Sequence, residues 1–155
     1  MQLFTERFGT IQINEDQIIT FHQGIPGFED IRTFVILPFE NDIPFSYLQS
    51  VEDGNLAFIV ADPFVFYKDY EFDLTAEAQE QLEIREQSEV LVLSIVTIMG
   101  DIRQATINLL GPIVMNTRLK IGAQIVLNNT KYQTKHPLLQ NEFVAEGDGH
   151  VSIKP

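Results

Sequence analysis

The stretch VLVLSIVTI, Val90 to Ile98, decides the fold of this 155-residue chain. It is nearly all apolar and rich in β-branched side chains, whose restricted χ1 suits a pleated strand. A short apolar run without polar alternation reads as a strand buried on both faces, so it belongs at the centre of a sheet. Downstream, Gly100-Asp101 turns the chain into Ile102 to Leu109. There Ala105, Ile107 and Leu109 alternate with Gln104, Thr106 and Asn108, as in a half-buried strand. Ile121, Ala123, Ile125 and Leu127 repeat the alternation in a last strand. Upstream, Phe45 to Val51 and Leu56 to Val60 are joined by Glu52-Asp53-Gly54-Asn55, whose Asp-Gly pair signals a hairpin. Phe34 to Leu37 is a further apolar run, ended by Pro38, and Thr10 to Ile13 and Gln17 to Phe21 flank a turn at Asn14-Glu15-Asp16.

One helix stands out among these strands. Asp73 and Thr75 are N-cap candidates ahead of AEAQEQL, and Leu74, Ala78 and Leu82 recur every four residues as one apolar stripe. Glu77, Glu80 and Glu83 turn away from it. Many short strands with one helix between them predict an antiparallel barrel or sandwich. No repeat or linker divides the chain. One β domain over residues 1–139 is expected, with a loosely ordered or peripheral tail over 140–155.

Composition bounds the function. Hydrophobic residues make up 45% and charged residues 21%, an ordinary globular balance. No apolar run reaches the about 18–20 residues of a spanning helix. Met1 to Phe8 has no basic segment followed by an apolar one, so a cytoplasmic protein away from membranes is expected. Cysteine is absent, which removes disulfides, thiolate catalysis and zinc–thiolate sites. Twenty-two acids face ten bases, a net charge of −12 that repels phosphate backbones and steers basic proteins inward. Between Asp69 and Glu89 lie eight acids and one base, Arg85, so Asp69, Glu71, Asp73, Glu77, Glu80, Glu83 and Glu86 are the electrostatic candidates.

The residues carry no catalytic, cofactor or metal signature. His22, His136 and His150 are far apart and in unlike settings, and no metal-ligand spacing is present. None of the serines stands in a Gly-x-Ser-x-Gly elbow. Gly24-Ile-Pro-Gly27 has a proline where a phosphate loop needs donors. Nine of the sixteen aromatics fall between residues 39 and 72, and ADPFVFYKDYEF places five within nine residues, where a strand is breaking up. Most belong in a core, and an exposed remainder would line a groove for an amphipathic helix. The loop GIPGFE, Gly24 to Glu29, interrupts two apolar runs and sets two glycines and a proline around Ile25 and Phe28. It points to a binding protein.

These motifs resemble the FliW family of flagellar assembly factors. The resemblance runs through GIPGFE, LPF at Leu37 to Phe39, and FSYLQSVEDGNLAFIVADPF at Phe45 to Phe64. It continues through NLLGPIVMN at Asn108 to Asn116 and YQTKHPL at Tyr132 to Leu138, in order and without a clear departure up to Leu139. The resemblance implies a non-enzymatic partner switch in the bacterial cytoplasm. FliW-like proteins bind newly made flagellin, and they bind and antagonise the translational regulator CsrA, relieving repression of flagellin translation.

The resulting expectation is a single-domain, mainly β, antiparallel barrel-like fold with one short helix, monomeric when free, without direct nucleic-acid or membrane binding. Partner contacts are expected at Gly24, Ile25, Pro26, Gly27, Phe28 and Glu29, then at Leu48, Gln49 and Ser50, Asp62, Pro63 and Phe64, and Asn108, Pro112 and Asn116. The glycines and prolines also suit plain turns. Two rivals remain open: a small β-barrel enzyme with an unrecognised site, and a generic acidic inhibitor mimicking nucleic acid. A pocket joining His22 or His136 to carboxylates of shifted pKa would favour the first. Acids spaced along a strip, rather than gathered near one helix, would favour the second.

Overall fold

A computed structural model describes residues 1–40, 42–128 and 130–139, and the backbone of 150–153. Its strands are β1 (Gln2–Thr5), β2 (Gly9–Gln12), β3 (Ile19–Thr20), β4 (Thr33–Pro38), β5 (Ser46–Ser50), β6 (Ala57–Ala61) and β7 (Glu71–Leu74). They continue with β8 (Val90–Thr97), β9 (Thr106–Ile107), β10 (Ile113–Asn116), β11 (Ile121–Gln124), β12 (His136–Pro137) and β13 (His150–Ile153). Helix α1 (Pro63–Phe66) follows β6, and α2 (Ala76–Gln81) follows β7.

Seven strands close into a barrel in the order β10-β11-β3-β4-β5-β6-β8, with β8 returning to β10. Every join is antiparallel except β11–β3, a parallel bridge at Ile121 and Thr20. The exception is forced by parity: an odd number of strands cannot alternate in direction all the way round a closed ring. β8 holds the centre, as VLVLSIVTI predicts. One edge pairs with β6; the other pairs with β10 over Val90 to Leu93 and with β9 over Val96 and Thr97.

Pleat alternation then sorts side chains into separate cores. Inside the barrel Phe21, Phe34, Leu48, Val60, Leu93, Ile113 and Met115 pack with Ile25. The outward residues of β8, Val92 and Val96, join Phe66, Tyr70, Phe72, Leu74 and Leu82 in a second core between the barrel wall and the α1–β7–α2 segment. A third, smaller core lies under the β1–β2 hairpin, where Leu3 and Ile13 cover Val35. β8 is therefore buried on both faces.

The expected helix forms where the capping pattern places it. The Thr75 hydroxyl accepts a hydrogen bond from the Ala78 N–H at 3.1 Å, and Leu74, Ala78 and Leu82 are buried. Three expectations need correction. A second helical turn, α1, sits at Pro63–Phe66, because the Asp62 carboxylate accepts from the Phe64 N–H at 2.9 Å and Pro63 fits the first helical position. The strand read over Ile102 to Leu109 is only Thr106–Ile107. Asp101 accepts from the Arg103 N–H and folds Ile102–Gln104 into a 3₁₀ turn, although Ala105, Ile107 and Leu109 are all buried as the alternation requires. β11 is not the last strand: β12 and β13 follow. The expectation of a loose tail falls mostly on residues 140–149, outside the described residues, while His150–Ile153 run parallel to β7.

Candidate partner-binding surface

The GIPGFE loop links β3 to β4 and seals the barrel. Phe21 N–H donates to the Arg32 carbonyl at 2.7 Å, and Gly24 N–H donates to the Phe21 carbonyl at 2.8 Å. Gly24 has φ +68°, and a Cβ there would lie 2.6 Å from the Glu29 Cα. Pro26 and Gly27 (φ +89°) occupy the central positions of a turn closed by the Phe28 N–H on the Ile25 carbonyl at 2.7 Å, the arrangement a type II turn requires. The Glu29 carboxylate accepts from the Gly27 N–H at 3.1 Å. The loop thus splits its two apolar residues. Ile25 is a buried plug in the barrel, whereas Phe28 is 40% exposed and leans edge-on against Phe58, with ring centroids 5.3 Å apart. Pro26, Gly27, Phe28 and Glu29 face solvent; Gly24 and Ile25 do not.

Several other expected contact residues are internal. Leu48, Gln49, Ser50 and Asn116 are all fully buried, so in this conformation they offer a partner no surface. Leu48 fills the barrel. The Gln49 amide donates to the carbonyls of Ser50 and Leu56, both at 3.1 Å, and the Ser50 hydroxyl accepts from the N–H groups of Glu52 and Asp53, bracing the β5–β6 hairpin. Asn116 is a splice between elements. Its Nδ2 donates to the Leu82 and Glu83 carbonyls at 2.9 and 3.1 Å, satisfying the end of α2. Its Oδ1 accepts from the Arg118 and Leu119 N–H groups in the β10–β11 turn. Asn108 is half-buried, with Oδ1 accepting from the Leu110 and Gly111 N–H groups; Pro63 and Pro112 are buried. Asp62 is exposed and Phe64 partly buried.

The acidic segment is at the surface. Asp69, Glu71, Asp73, Glu77, Glu80, Glu83 and Glu86 are all exposed on β7, α2 and their flanks. Glu89, the eighth acid, is engaged instead: it accepts from the Arg85 N–H at 3.0 Å and the Arg118 Nε at 2.7 Å, which hold its carboxyl below the usual carboxylate range. Further exposed acids, among them Glu15, Asp16, Glu29, Asp30, Glu52 and Asp53, lie on other elements.

A cleft of about 370 Å³ opens beside this segment, lined by Tyr67, Tyr70, Tyr132, His136, Lys68, Asp69 and Lys131, with Phe66 and Leu109 at its base. The sequence marked Tyr67 and Tyr70 as part of an aromatic cluster; Tyr132 and His136 join it only through the fold of the chain after β11. His136 Nε2 accepts from the Gln133 N–H at 2.8 Å, and burial lowers its pKa. His22 is exposed on the β3–β4 loop. Among the described residues, no three His, Asp or Glu side chains come together in a metal-holding group.

The sequence and the overall fold match known proteins. The model of the FliW protein family covers residues 2–138. The chain belongs to the FliW family. Relatives named flagellar assembly factor FliW include one from Moorella thermoacetica, 44% identical over 92% of this chain and 91% of its own. Another, from Bacillus subtilis, is 46% identical over 89% of this chain and 96% of its own. The crystal structure of a flagellar assembly factor FliW superposes with a TM-score of 0.84 at 39% identity, covering 92% of this chain and 99% of that one. The FliW fold is therefore shared by the barrel and by the segments that pack on it. Among the described residues no helix is long and apolar enough to cross a membrane.

Proposed function

We propose that this chain is a cytoplasmic flagellar assembly factor acting as a partner switch: it binds flagellin, and it binds and antagonises the translational regulator CsrA, relieving repression of flagellin translation. Family membership carries the reading, through relatives that are flagellar assembly factors over nearly their whole length. Two surfaces support it. The acidic β7–α2 face, on a chain of net charge −12, suits a basic RNA-binding regulator, since opposite charge speeds encounter and selects the partner. The exposed Phe28 on its rigid turn offers an apolar anchor to an amphipathic helical segment of flagellin. Of the loop, Pro26 to Glu29 are the proposed contacts; Gly24 and Ile25 hold them in place.

Titration calorimetry tests the switch: the protein against CsrA, against flagellin, and against CsrA with flagellin already bound. The expected result is binding to each partner alone and at least about tenfold weaker CsrA binding in the presence of flagellin, a coupling of ~1.4 kcal/mol. Binding to neither partner overturns the reading.

A further inference from the structure

The aromatic cleft borders the acidic face, with which it shares Asp69, and the proposed switch assigns no role to its rings. Its rings are fixed from behind. The Tyr70 hydroxyl donates to the Leu109 carbonyl at 2.8 Å, and the Tyr67 hydroxyl donates to the Pro137 carbonyl. The Tyr132 hydroxyl accepts from the Glu71 N–H at 3.2 Å. With their polar tips engaged by backbone, the part-exposed Tyr67 and Tyr132 need little reordering to receive a guest, and the buried Tyr70 supports Tyr132. Tyr70 and Tyr132 meet edge-on at 4.7 Å between centroids, and His136 stands 5.6 Å from Tyr67 and 6.1 Å from Tyr132.

Polarity distinguishes the site. His136 Nε2 is committed as an acceptor to Gln133, so the neutral ring carries its proton on Nδ1, which has no hydrogen-bond partner among the described residues. Lys68 and Lys131 both line the cleft, the latter with Nζ 5.7 Å from the Tyr132 ring centroid. Against them stands one lining carboxylate, Asp69. On a chain with twenty-two acids and ten bases, a cleft where cations outnumber anions departs from the rest of the surface. A cationic guest would meet two ammonium groups against one carboxylate; an anionic one meets two attractive charges, one repulsive and an N–H. The volume, about 370 Å³, lies at the small end of ligand pockets and suits one ring with a short side arm.

We infer that the cleft between the β7 approach and the Tyr132–His136 segment binds an aromatic carboxylate, its ring laid against the part-exposed Tyr67 and Tyr132 and its carboxylate towards His136 Nδ1–H, Lys68 and Lys131. The chemistry is that of a free aryl-alkanoic acid or of a peptide ending in phenylalanine or tyrosine.

The test uses the full chain and 3-phenylpropionate, followed by calorimetry or by shifts of the tyrosine and His136 resonances. Its uncharged amide serves as control, and N-acetylglycyl-phenylalanine, as acid and as amide, represents a chain end. The expected result is a submillimolar Kd for the acid, at least about tenfold weaker binding of the amide, and a similar loss in a Lys68→Glu, Lys131→Glu double variant. Both lysines are at the rim, so the thermal midpoint of that variant should match the parent. Tighter binding of the peptide acid than of phenylpropionate identifies a chain end as the source; equal or weaker binding identifies a free acid. Equal affinity for acid and amide, undiminished binding in the double variant, or no binding at about 10 mM overturns the site. None of these readouts depends on flagellin or CsrA, so failure here leaves the switch standing.

Discussion

Gly24 and Gly27 sit three residues apart in one loop and answer to different constraints. Both have positive φ, where an L side chain is strained. Only Gly24 is also crowded, with the Glu29 backbone 2.6–2.8 Å from the position of a Cβ, whereas nothing lies within 4 Å at Gly27. Gly24→Ala must therefore push Glu29 aside and loosen the Ile25 plug as well as bear the backbone strain. It is expected to destabilise the protein by about 2–3 kcal/mol, against ~1 kcal/mol for Gly27→Ala, as read from urea midpoints. Equal losses would show that the Gly24–Glu29 contact does not hold the loop. Asn116 illustrates the same distinction in a polar side chain. A position that looks like a contact in a one-dimensional motif is a buried splice whose amide meets four backbone groups.

At the scale of the element, α2 is a short helix kept in place by what surrounds it. Six residues are too few to be stable alone, so the Thr75 cap, the buried Leu74–Ala78–Leu82 stripe and the Asn116 amide at its end do the work of propensity. That leaves its outer face free to carry like charges whose mutual repulsion the packing tolerates. Reversing Glu77, Glu80 and Glu83 to Lys should leave the fold intact, weaken CsrA binding by about tenfold or more at low salt, flatten its salt dependence and spare flagellin. Unchanged CsrA affinity at low and moderate salt would remove the helix from that interface.

For the whole molecule, the barrel wall matters more than any single core. β8 has one side-chain set in the lumen and the other under the α1–β7–α2 segment, and its backbone is shared by β6, β10 and β9. The β1–β2 hairpin has its own two-stranded ladder, a small apolar patch beneath it, and a turn tied to the rest by the Glu6 N–H on the Gly54 carbonyl and by Phe8 against Tyr47. Native-state hydrogen exchange should find the slowest amides between Val92 and Val96. Those of β1 and β2 should open at least about 3 kcal/mol more easily. Equal protection would mean that the hairpin comes away only on global unfolding.

Much of this was legible in the order of residues. Period-two alternation and unbroken apolar runs depend on local geometry, so the main strands, the double burial of β8 and the capped helix could be read directly. The motif order from Gly24 to Leu138 likewise pointed to the FliW family. What could not be read was which side of an element becomes interior. Ile25 and Phe28 look alike in GIPGFE, and Leu48-Gln49-Ser50 looks like a contact motif, because burial is settled by which strands meet across the ring. The aromatic cleft is a stronger case: Tyr67 and Tyr70 are more than sixty residues from Tyr132 and His136, and no local pattern encodes a meeting at that separation. Chain-local forces set the elements of this protein. Closure of the seven-stranded ring, which gives each of its strands two neighbours and hides one face of each, decided which residues stay exposed.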